Sequence, residues 1–263
     1  MTILGSVGKQ GQNRKVDGKV IQAALNSIKH VKFKLSPPLK VDGIIGSKTI
    51  DVIEDFQKSV VLLTRPDGRV DPGGKTLTTL KGAITKGLSA DALLAIMAEG
   101  TENNIKKYQA LFGAAFVKYS INSPLRKAHF LAQIGHESLS FNYTEEIASG
   151  AAYEGRKDLG NTHKGDGVRF KGRGLIQLTG RSNYAEYGKY IGIDLLQSGN
   201  ERTVSKTPKY ALDVSMWFWQ KRHLNTYADQ DNIKAITRRI NGGYNGLADR
   251  QHYLDRAKFF LLP

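Results

Sequence analysis

Apolar positions along this chain recur at helical spacing far more often than they alternate. Val20, Ala23, Ala24 and Leu25, flanked by Ile21 and Ile28, mark one short helix. Ile50, Ile53 and Phe56 mark a second, with Ser47 as its expected N-cap, and Leu77, Leu80 and Ile84 mark a third. The period returns after residue 88 in Ala92, Leu93, Ile96 and Met97, where Ser89 is placed to cap the helix. It continues in Tyr108, Leu111, Phe112, Ala115, Phe116 and Tyr119. Pro124 suits a first turn, and Leu125, Ala128, Leu131 and Ile134 then carry a helix to Glu137, where the pattern fails. Thr207 before Pro208 opens a helix through Trp217 and Trp219. Ile233, Ile236 and Ile240 mark another, ended by Asn241-Gly242-Gly243, and Leu247 to Leu262 supplies the last. One short strand is expected at Leu175 to Leu178. The chain reads as mainly α.

Two of the early helices follow related turns. Asp42-Gly43-Ile44-Ile45-Gly46-Ser47-Lys48-Thr49 and Asp67-Gly68-Arg69-Val70-Asp71-Pro72-Gly73-Gly74-Lys75-Thr76 both run from Asp-Gly to Gly-x-Lys-Thr, a weak internal repeat of a turn-helix unit. The second is not a phosphate loop: five residues, not four, separate Gly68 from Gly74, and no apolar strand leads in. Gly172 to Gln177 lacks the third glycine and the surrounding βαβ unit of a dinucleotide site. Lys86-Gly87-Leu88-Ser89 reads as a linker, dividing residues 1–85 from 88–263.

Charge adds a partner class. The formal net charge is +15, with 15 Lys and Arg against 7 Asp and Glu through residue 87 and 24 against 17 afterwards. A polyanion fits this balance: nucleic acid, an acidic membrane surface or a carboxylate-rich cell wall. No zinc-finger spacing, RNA-recognition signature or long basic helix supports nucleic acid. The chain has no cysteine and no stretch of membrane-spanning length, and its first residues lack the apolar core of an export signal.

Glu137 falls in the last turn of its helix, beside the apolar stripe. Apolar neighbours and the carbonyl end of a helix both penalise an anion, so a carboxyl there is expected to keep its proton to higher pH, as a general acid must. Glu145 and Glu146 follow in a polar loop, with Glu146 nine residues on. One protonated and one ionised carboxyl suit glycosidic cleavage. From these residues alone, a helix-end surface glutamate remains the simpler account. His129, His136 and His163 offer a second chemistry, a zinc hydrolase, although no HExxH is present. The aromatic run Trp217 to Trp219 reads as core before sugar platform.

Two resemblances sharpen this. VIQAALN, VDGIIGSKTIDVIEDFQK and PDGRVDPGGKTLTTL resemble the small three-helix peptidoglycan-binding domain of wall hydrolases, with HVKFKLSPPLK as a basic insert. HFLAQIGHES, the Glu-Glu pair, YEGRKDLGN…GDGVRFKGRGLIQLTGRSNY and INGGYNGLADR resemble family 19 glycoside hydrolases, and more closely the phage endolysins of that family. The resemblance implies a lysozyme-like α-helical catalytic domain with Glu137 as general acid, Glu146 as base and Thr179 helping to hold the water. It implies that Gln177, Asn183, Tyr184, Asn241 and Arg250 contact sugar or organise the carboxylates. Leu139-Ser140 replaces the family's usual Gly-Gly. The implied enzyme is a monomeric, cofactor-free and metal-free endolysin that cuts peptidoglycan by inversion. It would wait in the host cytoplasm for a separate holin-type pore. The rivals are a chitinase, a metal-dependent amidase or peptidase, and a non-catalytic wall-binding protein.

Overall fold

The structure, a computed structural model, describes residues 2–263. Its elements are β1 (Val7–Gly8), α1 (Lys15–Asn26), α2 (Ser47–Phe56), β2 (Arg69–Val70), α3 (Lys75–Ala83), α4 (Ala90–Ile96), α5 (Glu102–Lys118) and α6 (Pro124–Glu137). Beyond these lie α7 (Asp166–Arg169), α8 (Arg181–Ile191), α9 (Thr203–Lys206), α10 (Pro208–Lys221), α11 (Leu224–Asp229), α12 (Ile233–Asn241) and α13 (Leu247–Leu261). The fold is mainly α, as the apolar spacing predicts. The strand expected at Leu175 to Leu178 is instead a turn, closed by bridges between Arg173 and Leu178, because Gly174 and Gln177 take φ of 78° and 57° and reverse the chain. The two strands that do form pair antiparallel, Val7 opposite Val70 and Gly8 opposite Arg69. They are too short to show a sequence period.

Contacts divide the chain into two compact units. One comprises Met1–Glu99, Ser123–Ala132 and Ala248–Pro263; the other comprises Gly100–Asn122 and Gln133–Leu247. These units do not match the division expected at 85 to 88. The reason lies in bonds made across long sequence gaps. Lys19 Nζ donates to Ala98 O at 2.6 Å, Arg256 Nε to Ile96 O at 3.1 Å, and Gly87 N to Phe260 O at 2.9 Å. These bonds tie the supposed linker, α4 and the C-terminal helix α13 to α1.

Within the first unit the weak repeat becomes a structural one. Gln22 Nε2 donates to Asp42 Oδ1 (3.2 Å) and Ile44 O (3.0 Å), and its Oε1 accepts Gly43 N at 2.7 Å. Gln57 does the same for the second turn, with Asp67 Oδ1 (2.6 Å), Arg69 O (2.9 Å) and Gly68 N (2.9 Å). In each copy the aspartate also accepts the N–H two residues on, an Asx-turn. A buried glutamine therefore clamps each Asp-Gly turn by satisfying its backbone groups away from water. The α2 cap is Gly46, and Ser47 is the first helical residue, so the helix begins one residue earlier than expected. Ser89 does cap α4, its Oγ accepting Ala92 N at 3.1 Å, whereas Thr207 occupies the cap position of α10 without a side-chain bond.

The second unit is built on α5, α8 and α10. Phe112 and Phe116 stack at 5.0 Å, and Asp213 of α10 accepts Lys118 Nζ (2.7 Å), Tyr119 OH (2.8 Å) and Tyr187 OH (3.0 Å). Trp217 and Trp219 are both buried, in keeping with the core reading. No helix among the described residues is long and apolar enough to cross a membrane.

Candidate active site

Helix α6 ends at Glu137, where the apolar period fails. Ala128, Phe130, Leu131 and Ile134 are fully buried along it. The chain then makes a tight left-handed excursion: Leu139, Ser140 and Phe141 take φ of 46°, 57° and 69°. Ser138 fastens it, donating from Oγ to Ile134 O at 2.6 Å and accepting Phe141 N at 2.9 Å. Phe141 anchors the far end against Tyr108, with ring centroids 5.0 Å apart. Left-handed backbone costs a residue with a Cβ about 1–2 kcal/mol. Leu139 and Ser140 thus keep a conformation that glycine would adopt freely. Leu139→Gly is expected to raise stability by about 0.5–1 kcal/mol, the relief of strain exceeding the added freedom of the unfolded chain. Urea melts of the two proteins check this.

The excursion returns at Tyr143, whose N–H donates to Ser138 O at 2.9 Å, and leads into the Glu-Glu pair. Residues 144 to 146 run beside residues 172 to 174: Glu146 N donates to Gly172 O, and Gly174 N to Thr144 O, each at 2.9 Å. Successive side chains of an extended segment point to opposite faces, so the two glutamates meet different surroundings. Glu145 faces charge. Its Oε1 lies 3.3 Å from both Arg173 Nη2 and Lys171 Nζ, and its Oε2 accepts Ser205 Oγ at 3.0 Å. Burial pushes this carboxyl up, but the Arg173 charge and the bonds from Ser205, Arg173 and Lys171 outweigh it and hold Glu145 below the ordinary carboxylate range. Glu146 instead accepts Tyr153 OH on Oε1 at 3.0 Å and Gly172 N on Oε2 at 3.1 Å. Those two donors fix its orientation. An added Cβ at Gly172 would sit 2.7 Å from Gln177 Oε1 and 3.2 Å from Glu146 Oε2, so a larger residue there would push both side chains aside.

Gln177, Thr179 and Asn183 continue from this bridge as one hydrogen-bonded run. Gln177 Nε2 donates to Gly174 O (3.1 Å), Thr179 Oγ1 to Gln177 O (2.9 Å) and Asn183 Nδ2 to Thr179 O (2.7 Å). All three side chains are half-buried, and Asn241 is exposed at the end of α12. Tyr184 corrects the expectation of a sugar contact. It is fully buried against Phe170, donates to Lys171 O at 2.8 Å and accepts Arg173 Nη1 at 3.1 Å, so it braces the loop from behind. Its helical spacing from the preceding turn put it on the inner face of α8, which the motif alone did not reveal. Arg250 is also fully buried, on α13 in the first unit, a setting for an internal charge partner and not for a solvent-facing sugar contact.

The histidines lie apart in kind. His129 is fully buried, and His136 packs its ring on Gly246, where an added Cβ would meet Cε1 at 2.1 Å. His163 is exposed, 3.6 Å from Asp166, whose carboxylate is already taken by a two-bond fork from Arg181 at 2.8 Å each. Among the described residues no group of three His, Cys, Asp or Glu is gathered to hold a metal. Sequence reading missed Tyr153, Gly172, Ser138 and Gly246. Each lies inside a quoted motif, but its partner becomes visible only once the chain is folded.

The chain is similar to known proteins. The family model for glycosyl hydrolase family 19, class I chitinase, matches residues 83–244. A Haemophilus influenzae protein containing a family 19 glycosyl hydrolase domain is 30% identical over 174 residues, covering 54% of this chain and 83% of that protein. An Arabidopsis thaliana endochitinase is 38% identical over 161 residues, covering 57% of this chain and 54% of the plant protein. The chain therefore spans about half the length of that plant relative. Chitinase C from Streptomyces griseus shares the fold, with TM-score 0.51 and 20% identity over 74% of this chain and 79% of its own. The class is that of inverting glycoside hydrolases. The chain belongs to glycoside hydrolase family 19.

Proposed function

We propose that this enzyme is an endolysin that hydrolyses the β-1,4 glycosidic bonds of bacterial peptidoglycan. Glu137 protonates the leaving oxygen while Glu146 takes a proton from water on the opposite face of the sugar. The water then attacks the anomeric carbon, and the configuration inverts. Thr179 helps hold that water, and Gln177, Asn183 and Asn241 receive the sugar. An inverting pair requires about 6.5–9.5 Å between carboxyl groups, room for one water. The observation that carries the assignment is the division of labour within the Glu-Glu pair. Glu146 is oriented by neutral donors, Tyr153 OH and Gly172 N, while Glu145 is committed to Arg173, Lys171 and Ser205.

Peptidoglycan is preferred to chitin because residues 1–85 carry the wall-binding resemblance and the formal net charge is +15. The chitinase reading has its own support in the Arabidopsis endochitinase relative. In this reading the enzyme acts as a monomer, accumulates in the host cytoplasm and reaches the wall through a separate pore. Mass spectrometry of the products separates the substrates: purified sacculi should yield muropeptides in the presence of EDTA, and colloidal chitin far less product. Release of oligosaccharides from chitin alone would overturn the proposal. Loss of activity in EDTA would favour a metal hydrolase. Wall binding should weaken as salt screens exposed charge over about 8–10 Å, with turnover of a short neutral glycan changing little. A parallel fall in both would show that basic charge does not steer the enzyme to the wall.

A further inference from the structure

The glycanase chemistry does not use the basic insert between α1 and α2, in the first unit. Residues 18–41 contain five lysines and no aspartate or glutamate. Four of the five, Lys29, Lys32, Lys34 and Lys40, are exposed, as is His30. The backbone is fixed at both ends of the insert. Ile28 bridges to Ile84, and Asn26 clamps Leu39, donating to its carbonyl and accepting its N–H at 2.8 Å each. Between these anchors, His30 to Phe33 form a tight turn closed by Phe33 N on His30 O at 3.1 Å. His30 Nδ1 also accepts Lys32 N, at 3.3 Å. Phe33 holds the turn from inside, buried edge-on against Phe56 with ring centroids 5.7 Å apart. With Phe33 turned inward, Lys32 and Lys34 on either side of it are left exposed.

At the apex of the turn Val31 is 86% exposed. A lone exposed valine is ordinary on a protein surface. This one is carried on a fixed turn, with Lys29 before it and Lys32 and Lys34 after it. Lys40 is committed in part to Asp42, 3.9 Å away, and Lys29 shares a cleft with Asp91, which Asn26 already holds at 2.7 Å. Cations around an apolar apex select among polyanions. The phosphates of a nucleic acid or the carboxylates of a wall would engage the lysines but offer Val31 no apolar phase. The interface of an anionic bilayer offers both, phosphates for the ammonium groups and the acyl boundary for the valine and the lysine stems.

We propose that the His30–Phe33 turn docks on a bilayer of anionic phospholipid, with Val31 entering the headgroup boundary and Lys29, Lys32 and Lys34 meeting lipid phosphates. The attachment is peripheral and reversible, since one apolar side chain and three cations anchor far less than a spanning helix. The turn lies outside residues 83–244, the part that matches family 19. It would concentrate the enzyme at a membrane face, a different surface from the glycan it cuts.

The test is co-sedimentation of the full chain with vesicles of mixed phosphatidylglycerol and phosphatidylcholine. Pure phosphatidylcholine vesicles and purified sacculi are the comparison surfaces. Binding to the mixed vesicles is expected at low salt, falling as salt rises, with little binding to the neutral ones. Lys29→Gln/Lys32→Gln/Lys34→Gln should weaken vesicle binding by about 10²-fold, each cation being worth about fivefold near an anionic surface. Val31→Ser should weaken it by about tenfold at unchanged charge. Lys107→Gln/Lys189→Gln/Lys234→Gln removes the same charge from exposed positions of the second unit and should change binding by less than about threefold. Melting temperature and turnover of a short soluble glycan should stay unchanged in every variant, since each altered side chain is exposed. Equal binding to neutral vesicles, equal loss in the second-unit variant, or no effect of Val31→Ser would each overturn the inference. So would a turn variant that loses sacculi while keeping vesicles, which would assign the turn to the wall. An enzyme that binds vesicles through the turn but releases no reducing ends keeps the docking turn and loses the glycanase reading.

Discussion

Glu137→Gln and Glu146→Gln are each expected to lower glycan turnover by about 10²–10⁴-fold, the usual worth of a positioned general acid or base. Both variants should remain folded. Glutamine at 137 keeps the size of the helix-end side chain and removes only the transferable proton. At 146 it keeps one carbonyl acceptor for Gly172 N, and the Tyr153 hydroxyl can turn to accept from the new amide. The informative control is Glu145→Gln. That change leaves the proposed base and its donors intact, so turnover should stay within a few-fold. Its cost falls on stability instead, because Arg173 is only 4% exposed and loses its charged partner. Removing one member of a buried pair costs about 3–5 kcal/mol. Glu145 is 37% exposed, and solvent screening reduces the expected loss to about 1–2 kcal/mol. The pH dependence has a definite sign. Glu145 has a lowered folded-state pKa, so its contribution is full above the unfolded carboxyl value of about 4.3 and is lost as pH falls through the folded value. Wild type should therefore lose its advantage over Glu145→Gln on acidification below about pH 4. Steady-state rates and melts on the three variants read both quantities. Equal loss of turnover in Glu145→Gln and Glu146→Gln would show the base to be wrongly assigned.

Gly246→Ala should lower turnover by about 10²-fold without touching a reacting group. An added Cβ would lie 2.1 Å from His136 Cε1 and 2.3 Å from Nε2, with the backbone at φ 70°. Such an approach is impossible, so the imidazole must move. His136 immediately precedes Glu137 in the last turn of α6, and a displacement of about 1 Å at a reacting group can cost 10²-fold. The left-handed backbone adds about 1–2 kcal/mol of strain, independent of the ring. The double variant His136→Ala/Gly246→Ala separates the two effects, since deleting the ring removes the collision and leaves the strain. Recovery of stability in the double variant is the expected result. If Gly246→Ala lowers the melting temperature with kcat unchanged, the contact is packing alone and does not position the acid.

Several features of this protein were legible in its residues because their causes are local. Apolar spacing located α1, α5 and α6 and ended α6 at Glu137. The Ser89 cap and the Asp-Gly turn repeat depend on neighbours within a few residues. The tryptophans' inward place on α10 came from the same period. What tertiary structure alone decided were relations between residues distant in sequence. From their own neighbourhood Glu145 and Glu146 were equivalent. They differ because Arg173, 28 residues later, reaches one, and Gly172 N, 26 residues later, reaches the other. Tyr184 belongs to a sugar-binding motif by its spelling, yet the carbonyl of Lys171 and the guanidinium of Arg173 draw its hydroxyl inward. The division at 85 to 88 was read from a short glycine-containing stretch. Long-range bonds from Lys19 to Ala98 and from Arg256 to Ile96 join α1, α4 and α13 across that stretch into one unit. Sequence period records which face of an element is apolar. It does not record which polar groups of remote segments will meet, because those encounters arise only when the apolar faces have packed.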